Sequence, residues 1–178
     1  LIVFMVIQVS VKNFKVDGFS MLPTLESGQL LLVNKLVYFK LDTSRLSKVI
    51  PFWNQDKATQ HFVVRPPTRG DVIVFRNPQN TDEDFVKRII GLPGDEVEIR
   101  RGVTYIDGQP LDEPYLVETD TRTNPPLQLG EEEYFVMGDN RSRSNDSRKF
   151  GPVPEENLVG KVWVVYWPPP KVQVLEAV

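Results

Sequence analysis

The 178-residue sequence contains no cysteine and a single histidine, His61. The first absence excludes a thiol nucleophile, a thiolate metal site and any disulfide. It fits a reducing compartment and a disulfide-free extracytoplasmic enzyme equally. The second excludes a multi-histidine metal centre, and neither cofactor nor metal is expected. A serine activated by histidine would have to use His61, which lies in the polar stretch 54–61. Charge of one sign is also scarce. With 21 Lys+Arg against 24 Asp+Glu the net charge is −3, and no clustered basic face suggests nucleic acid as a partner. The apolar opening at residues 1–11, L-I-V-F-M-V-I-Q-V-S-V, is shorter than the ~20 residues of a membrane span. It also lacks the basic segment and small-residue cleavage site of a signal peptide. No internal repeat and no long amphipathic helical period are evident.

The chain does hold 15 prolines and 11 glycines, spread along its length, and these predict many short strands and turns around one core with room for a small subdomain. It opens on leucine, so it is read as a fragment or a processed chain. Two readings hold for residues 1–11. One is a first core strand, with Ile7, Val9 and Val11 alternating against Gln8, Ser10 and Lys12. The other adds that residues 1–7 are the end of a membrane anchor running into that strand.

The stretch V-D-G-F-S-M-L-P-T-L at 16–25 is the centre of the sequence. Gly18 permits an unusual turn, and Pro23 fixes φ and removes a donor, which argues against regular helix or central strand around Ser20. A serine in such a turn is commonplace by itself. With no thiol available and one histidine, a nucleophilic serine here needs another base, and lysine is the plausible one.

Further strands are predicted at 29–38 with a following turn, 72–75, 85–90, 96–100, 103–106, 133–137 and 161–167. Residues 39–67 read as a long excursion, with Ile50, Phe52 and Trp53 as a candidate apolar patch. Residues 77–84 and 113–128 read as turn and loop, and 142–151 as a polar, solvated loop. In F-V-K-R-I-I at 85–90, strand alternation puts Phe85, Lys87 and Ile89 on one face and Val86, Arg88 and Ile90 on the other. A cation therefore stands between apolar residues on each face. The plain reading is a snorkelling lysine at a strand edge. The functional one is a lysine whose partial burial lowers its pKa into the range a base requires.

Four stretches, in this order, resemble type I signal peptidase, the membrane-bound serine protease family that removes signal peptides from exported proteins. They are G-F-S-M-L-P-T-L at 18–25, R-G-D-V-I-V-F at 69–75, K-R-I-I-G-L-P-G-D at 87–95, and G-D-N-R at 138–141 continuing through Ser144, Asp146, Ser147, Arg148 and Gly151. The resemblance implies a mostly β fold. An antiparallel catalytic core (12–91 and 134–170) would carry an inserted smaller β subdomain (92–133) and a C-terminal tail (171–178). It implies Ser20 as nucleophile and Lys87 as general base. Met21 would pack beside Ser20, Ser144 would hydrogen-bond and orient the Lys87 amine, and Asp146 would pair with Arg148. Asp139 and Arg141 would fix the loop carrying Ser144.

The oxyanion would take the Ser20 N–H. Gly18 stands where some members carry a second hydroxyl donor, leaving that role to a backbone amide or water. Gln29 replaces a usual aspartate after glycine. The implied substrates are signal peptides of secretory preproteins, cut after Ala-X-Ala-like sites by a monomer that also meets membrane lipid. The implied location is the plasma membrane, anchored by one or more spans, with the catalytic domain on the extracytoplasmic face. The alternatives are a self-cleaving Ser-Lys repressor-type protease and a non-catalytic peptide-binding β module.

Overall fold

The computed structural model describes residues 10–38, 40–42, 60–62, 64–118 and 120–176. Residues 1–9 of the strand predicted at 1–11, the anchor remnant and the patch at Ile50, Phe52 and Trp53 lie outside these residues. The main sheet is antiparallel throughout. It contains β1 (Val11–Lys15), β2 (Leu30–Asn34), β5 (Val72–Asn77), β6 (Asn80–Gly91), β11 (Glu133–Met137), β12 (Val153–Pro154) and β13 (Leu158–Trp167). Their order across the sheet is β1-β2-β13-β5-β6-β11-β12, with β14 (Gln173–Val174) added on β13. The short pair β3 (Lys40–Asp42) and β4 (Gln60–Phe62) stands apart, within the long excursion.

β5 shows why the sheet is covered on both faces. Its residues Val72 and Val74 pack with Leu31, Val33, Val162 and Val165, while Ile73 and Phe75 pack with Ile89, Val136 and Val153. A strand buried on both sides needs a continuous apolar run, and V-I-V-F is one. Its pairing with β6 sets Ile73 opposite Lys87 and Val72 opposite Arg88. The alternation expected for 85–90 is observed: Phe85 and Ile89 join the Ile73 cluster, Val86 the Val74 cluster.

A second sheet, order β10-β7-β8-β9, is formed by β7 (Glu96–Arg100), β8 (Val103–Ile106), β9 (Gln109–Pro110) and β10 (Asn124–Gln128). It packs on the main sheet through Val97, Ile99, Ile106 and Leu129 against Ile90, Phe135 and Met137.

Four sequence expectations change. Residues 80–84 are strand rather than turn, because Asn77 pairs with Asn80 and the β5–β6 connection needs only Pro78 and Gln79. Residues 124–128 are strand despite Pro125 and Pro126, which sit at the sheet edge where a missing N–H is tolerated. The 171–178 tail returns to the sheet as β14. The block 142–151 carries a one-turn helix, α1 (Ser147–Phe150), and buries Ser144, Asp146 and Ser147. Asp146, Ser147 and Arg148 are bonded within the protein, to one another and to Gly138, Val136 and Asp120.

Candidate active site

Ser20 sits on a tight turn held from inside the core. Met21 and Leu25 are fully buried, and Leu25 N–H donates to the Met21 carbonyl at 2.8 Å. Gly18 takes φ +94°, a region glycine enters without penalty. The side chain of Gln29 supplies the turn bond that its replacement of aspartate put in question, accepting from Glu26 N–H at 2.9 Å. The turn is clipped from the other side by Asn140, whose N–H donates to the Ser20 carbonyl at 3.0 Å. Gly138 is what allows this approach. A Cβ there would overlap Ser20 O and Ser144 Oγ.

The Lys87 amine lies 2.8 Å from Ser20 Oγ and donates to the Val86 carbonyl, also at 2.8 Å. Lys87 is 5% exposed and its amine stands 5.4 Å from the Phe85 ring centre. Burial pushes its pKa down to about 8, with the Asp146 and Asp139 carboxylates opposing the shift.

The carboxylates are held by arginines. Asp139 takes a bidentate pair from Arg88, Nε to Oδ1 at 2.9 Å and Nη2 to Oδ2 at 2.7 Å, and both side chains are shut off from solvent. The Thr24 hydroxyl donates to the same carboxylate at 2.5 Å, Arg88 also reaches the Gly70 carbonyl, and its guanidinium lies 4.0 Å from the Tyr115 ring centre. Arg88 was not singled out as a site residue. Its signals in the sequence are its place on the face opposite Lys87 and in the K-R-I-I-G-L-P-G-D stretch. Gly70 and Asp71 hold this region to the sheet, through Gly70 N–H to Ile89 O and Ile89 N–H to Asp71 O.

Asp146 and Arg148 pair as expected, through two 2.8 Å bonds, and Asp146 also accepts from Gly138 N–H. Burial alone would raise the Asp146 carboxyl. The Arg148 hydrogen bonds and charge, aided by the nearby Ser144 hydroxyl and Gly138 N–H, bring it below its ordinary value. Arg148 then reaches Asp120 at 2.7 Å, and Arg141 reaches the Gly138 carbonyl, Thr104 and Glu113. Glu113 and Asp120 thus tie their own stretch to the 138–148 loop, and neither stands out in a polar sequence read as loop. The expected Ser144–Lys87 hydrogen bond is not made. Ser144 Oγ is buried with no partner at hydrogen-bonding geometry, because the amine is turned to Ser20 and Val86. His61 is in β4, and its side chain is outside the described residues.

The family described as "Signal peptidase, peptidase S26" matches residues 1–167. The chain belongs to this family. It is 39% identical over 170 residues to signal peptidase I of Bacillus caldolyticus, covering 88% of this chain and 79% of that protein. It is 37% identical over 156 residues to the probable signal peptidase I-1 of Synechocystis, covering 84% of this chain and 67% of that one. A solved signal peptidase I from Enterococcus faecalis aligns with TM-score 0.51 at 38% identity, over 55% of this chain and 97% of the other. The chain therefore spans about two thirds of the length of the Synechocystis relative. Membership places it among the serine endopeptidases that remove signal peptides from preproteins, a membrane-associated family. Among the described residues no helix is long and apolar enough to cross a membrane.

Proposed function

We propose that Ser20 and Lys87 are the nucleophile and general base of this signal peptidase. The observation that carries the reading is the 2.8 Å contact between a surface-turn hydroxyl and a buried lysine amine whose pKa is pushed down to about 8. At pH 7 about a tenth of such a lysine is neutral, against well under a thousandth at its ordinary value. The neutral amine takes the hydroxyl proton as Oγ attacks the scissile carbonyl. The Ser20 N–H faces the developing oxyanion. Gly18 offers no hydroxyl, and its own N–H is engaged by Ser27 Oγ at 3.3 Å. Collapse of the tetrahedral adduct breaks the C–N bond, and Lys87 returns the proton to the leaving amine. Water, deprotonated by the same amine, then releases the acyl group from Ser20.

Met21 anchors the nucleophile turn in the core. Asp139, Arg141, Asp146 and Arg148 hold the loop against it and set the field at Lys87. Ser144 is a positioning neighbour that reaches Lys87 when the amine turns from Val86. The upstream half of the substrate pairs with β6. β11 covers only Arg88 to Gly91 of that strand, and among the described residues no strand pairs with the same edge before Lys87. An extended peptide added there gains main-chain hydrogen bonds, as in other strand-addition modes.

Lipid contact at the extracytoplasmic face is supported by exposed Trp163, Tyr166, Trp167, Val172 and Val174, which gather on β13, β14 and the segment between them. Aromatic side chains of this kind favour the membrane interface. Incubating a secretory preprotein bearing a small-X-small site with the chain in detergent should give one cut after the second small residue. Ser20→Ala should give none. Cutting that survives in Ser20→Ala would refute the assignment.

A further inference from the structure

The polar stretch after β9 sets a tyrosine against one of the buried arginines. Residues 113–116, E-P-Y-L, form a tight turn in which Leu116 N–H donates to the Glu113 carbonyl at 3.1 Å. Proline at the second position suits such a turn. Tyr115 is thereby placed beside Glu113, and its hydroxyl donates to Glu113 Oε1 at 2.7 Å. Each of the two side chains meets a different arginine. Glu113 accepts from Arg141, which donates to the Gly138 carbonyl. The Tyr115 ring lies on Arg88, with 4.0 Å between ring centre and guanidinium carbon.

The donors of Arg88 point outward along the edge of its plane, to Asp139, the Gly70 carbonyl and the Thr24 hydroxyl. The edge is satisfied by these bonds, and the Tyr115 ring covers a face. Arg88 is 2% exposed. Tyr115 also lines a cavity of about 540 Å³ together with Pro23, Thr24 and Gln173, and Arg88 is not among the lining residues. One ring therefore touches both the cavity and the arginine that neutralises Asp139.

The charged groups acting on Lys87 are Asp146, paired with Arg148, and Asp139, paired with Arg88. Arg148 has a second carboxylate in Asp120, and Arg141 has Glu113. Among the described residues Arg88 has no second carboxylate, and its remaining support is the aromatic face of Tyr115. A guanidinium is drawn to such a face, and more strongly where water is kept away.

We infer that Tyr115 is a positioning residue of the reaction, whose ring shields the Arg88–Asp139 pair from the adjoining cavity and so keeps the surroundings of the base dry and its neighbouring charge balanced. This role rests on Lys87 as the general base. Without the ring, water from the cavity reaches Arg88 and competes for Asp139. The Asp139 charge is then less balanced and the amine less dry, and both changes favour the protonated lysine. The neutral fraction available to take the Ser20 proton falls.

The test compares wild type, Tyr115→Leu and Tyr115→Phe in single-turnover cleavage of one preprotein at saturating enzyme, in detergent, from about pH 6 to about pH 10. Leucine keeps apolar bulk against the Ile90, Phe135 and Met137 cluster on which Tyr115 packs. Phenylalanine keeps the ring and loses only the hydroxyl. Tyr115→Leu should move the midpoint of the rise up by about half a pH unit, a loss of about threefold below the midpoint that shrinks above it. Tyr115→Phe should keep the wild-type midpoint. The tyrosine hydroxyl does not supply the rise itself, because burial and the Glu113 carboxylate hold it above its ordinary value. Should Tyr115→Leu fail to unfold cooperatively, Tyr115→Gln carries the comparison. A midpoint unmoved or lowered in the non-aromatic variants, or raised equally in Tyr115→Phe, overturns the proposal and leaves the dyad intact. A wild-type rise centred near the ordinary histidine value, or cleavage that survives in Lys87→Ala, overturns the dyad and this inference with it.

Discussion

Lys87→Ala is expected to lower kcat by about 10⁴-fold or more, the scale seen when one member of a nucleophile–base unit is removed. The amine is the one base within hydrogen-bonding reach of Ser20 Oγ among the described residues, at 2.8 Å. The fold should survive. Burial holds this lysine well below its ordinary pKa, so keeping it inside opposes folding wherever the unfolded lysine is charged. The sign follows: a basic group with a lowered folded-state value costs stability below its unfolded value, and the cost is fully present below about pH 8. Removing the amine relieves that cost while losing the packing of three methylenes. Single-turnover cleavage and thermal unfolding measured on the same sample check both halves. Cleavage near the wild-type rate would dismiss Lys87 as the base. Loss of the cooperative transition would make the inactivity uninformative, and Lys87→Met, which keeps the volume, then decides.

Gly138→Ala is expected to be the next most damaging change, from a residue that takes no part in the chemistry. The added Cβ would stand 2.7 Å from Ser144 Cβ and closer still to Ser144 Oγ and the Ser20 carbonyl. None of these atoms is the free end of a flexible chain. Met21 and Leu25 anchor the nucleophile turn, and Asp146 accepts from Gly138 N–H, so both sides resist the shift. Overpacking of this kind costs about 1–3 kcal/mol. The larger effect is on rate, since a displacement of about 1 Å at the nucleophile is worth about 10²-fold. The expected outcome is a kcat/KM reduced about 100-fold with only a modest fall in unfolding temperature. Wild-type turnover in Gly138→Ala would show that the loop yields without moving Ser20.

The strands with unbroken apolar runs or simple alternation were legible in the sequence. β5 follows from V-I-V-F, and the two faces of β6 follow from F-V-K-R-I-I. Elimination pointed the proposed nucleophile to a lysine, since the chain has no thiol and one histidine in a polar stretch; the choice of Lys87 came from the family resemblance. The arginine–carboxylate web was not legible. Residues 142–151 have the composition of a solvated loop, and composition does not distinguish charges facing water from charges facing each other. Burial of Asp146 depends on Arg148, and Arg148 on Asp120, which lies in a stretch with no periodicity. Arg88–Asp139 joins residues 51 apart that only the β6–β11 pairing brings together. The Ser144 hydroxyl illustrates the limit of carrying a role over by position. The residue is where the resemblance puts it, yet the amine it was expected to orient is bonded elsewhere.

The pH dependence of kcat/KM on a single preprotein, for wild type and His61→Ala side by side, tests the central claim most directly. Only the neutral amine accepts the Ser20 proton, so activity rises with pH as Lys87 loses its charge. The rise should be centred near pH 8 and be unchanged in His61→Ala. A rise centred near the ordinary histidine value, lost in His61→Ala, would contradict the account and move the base from Lys87 to His61.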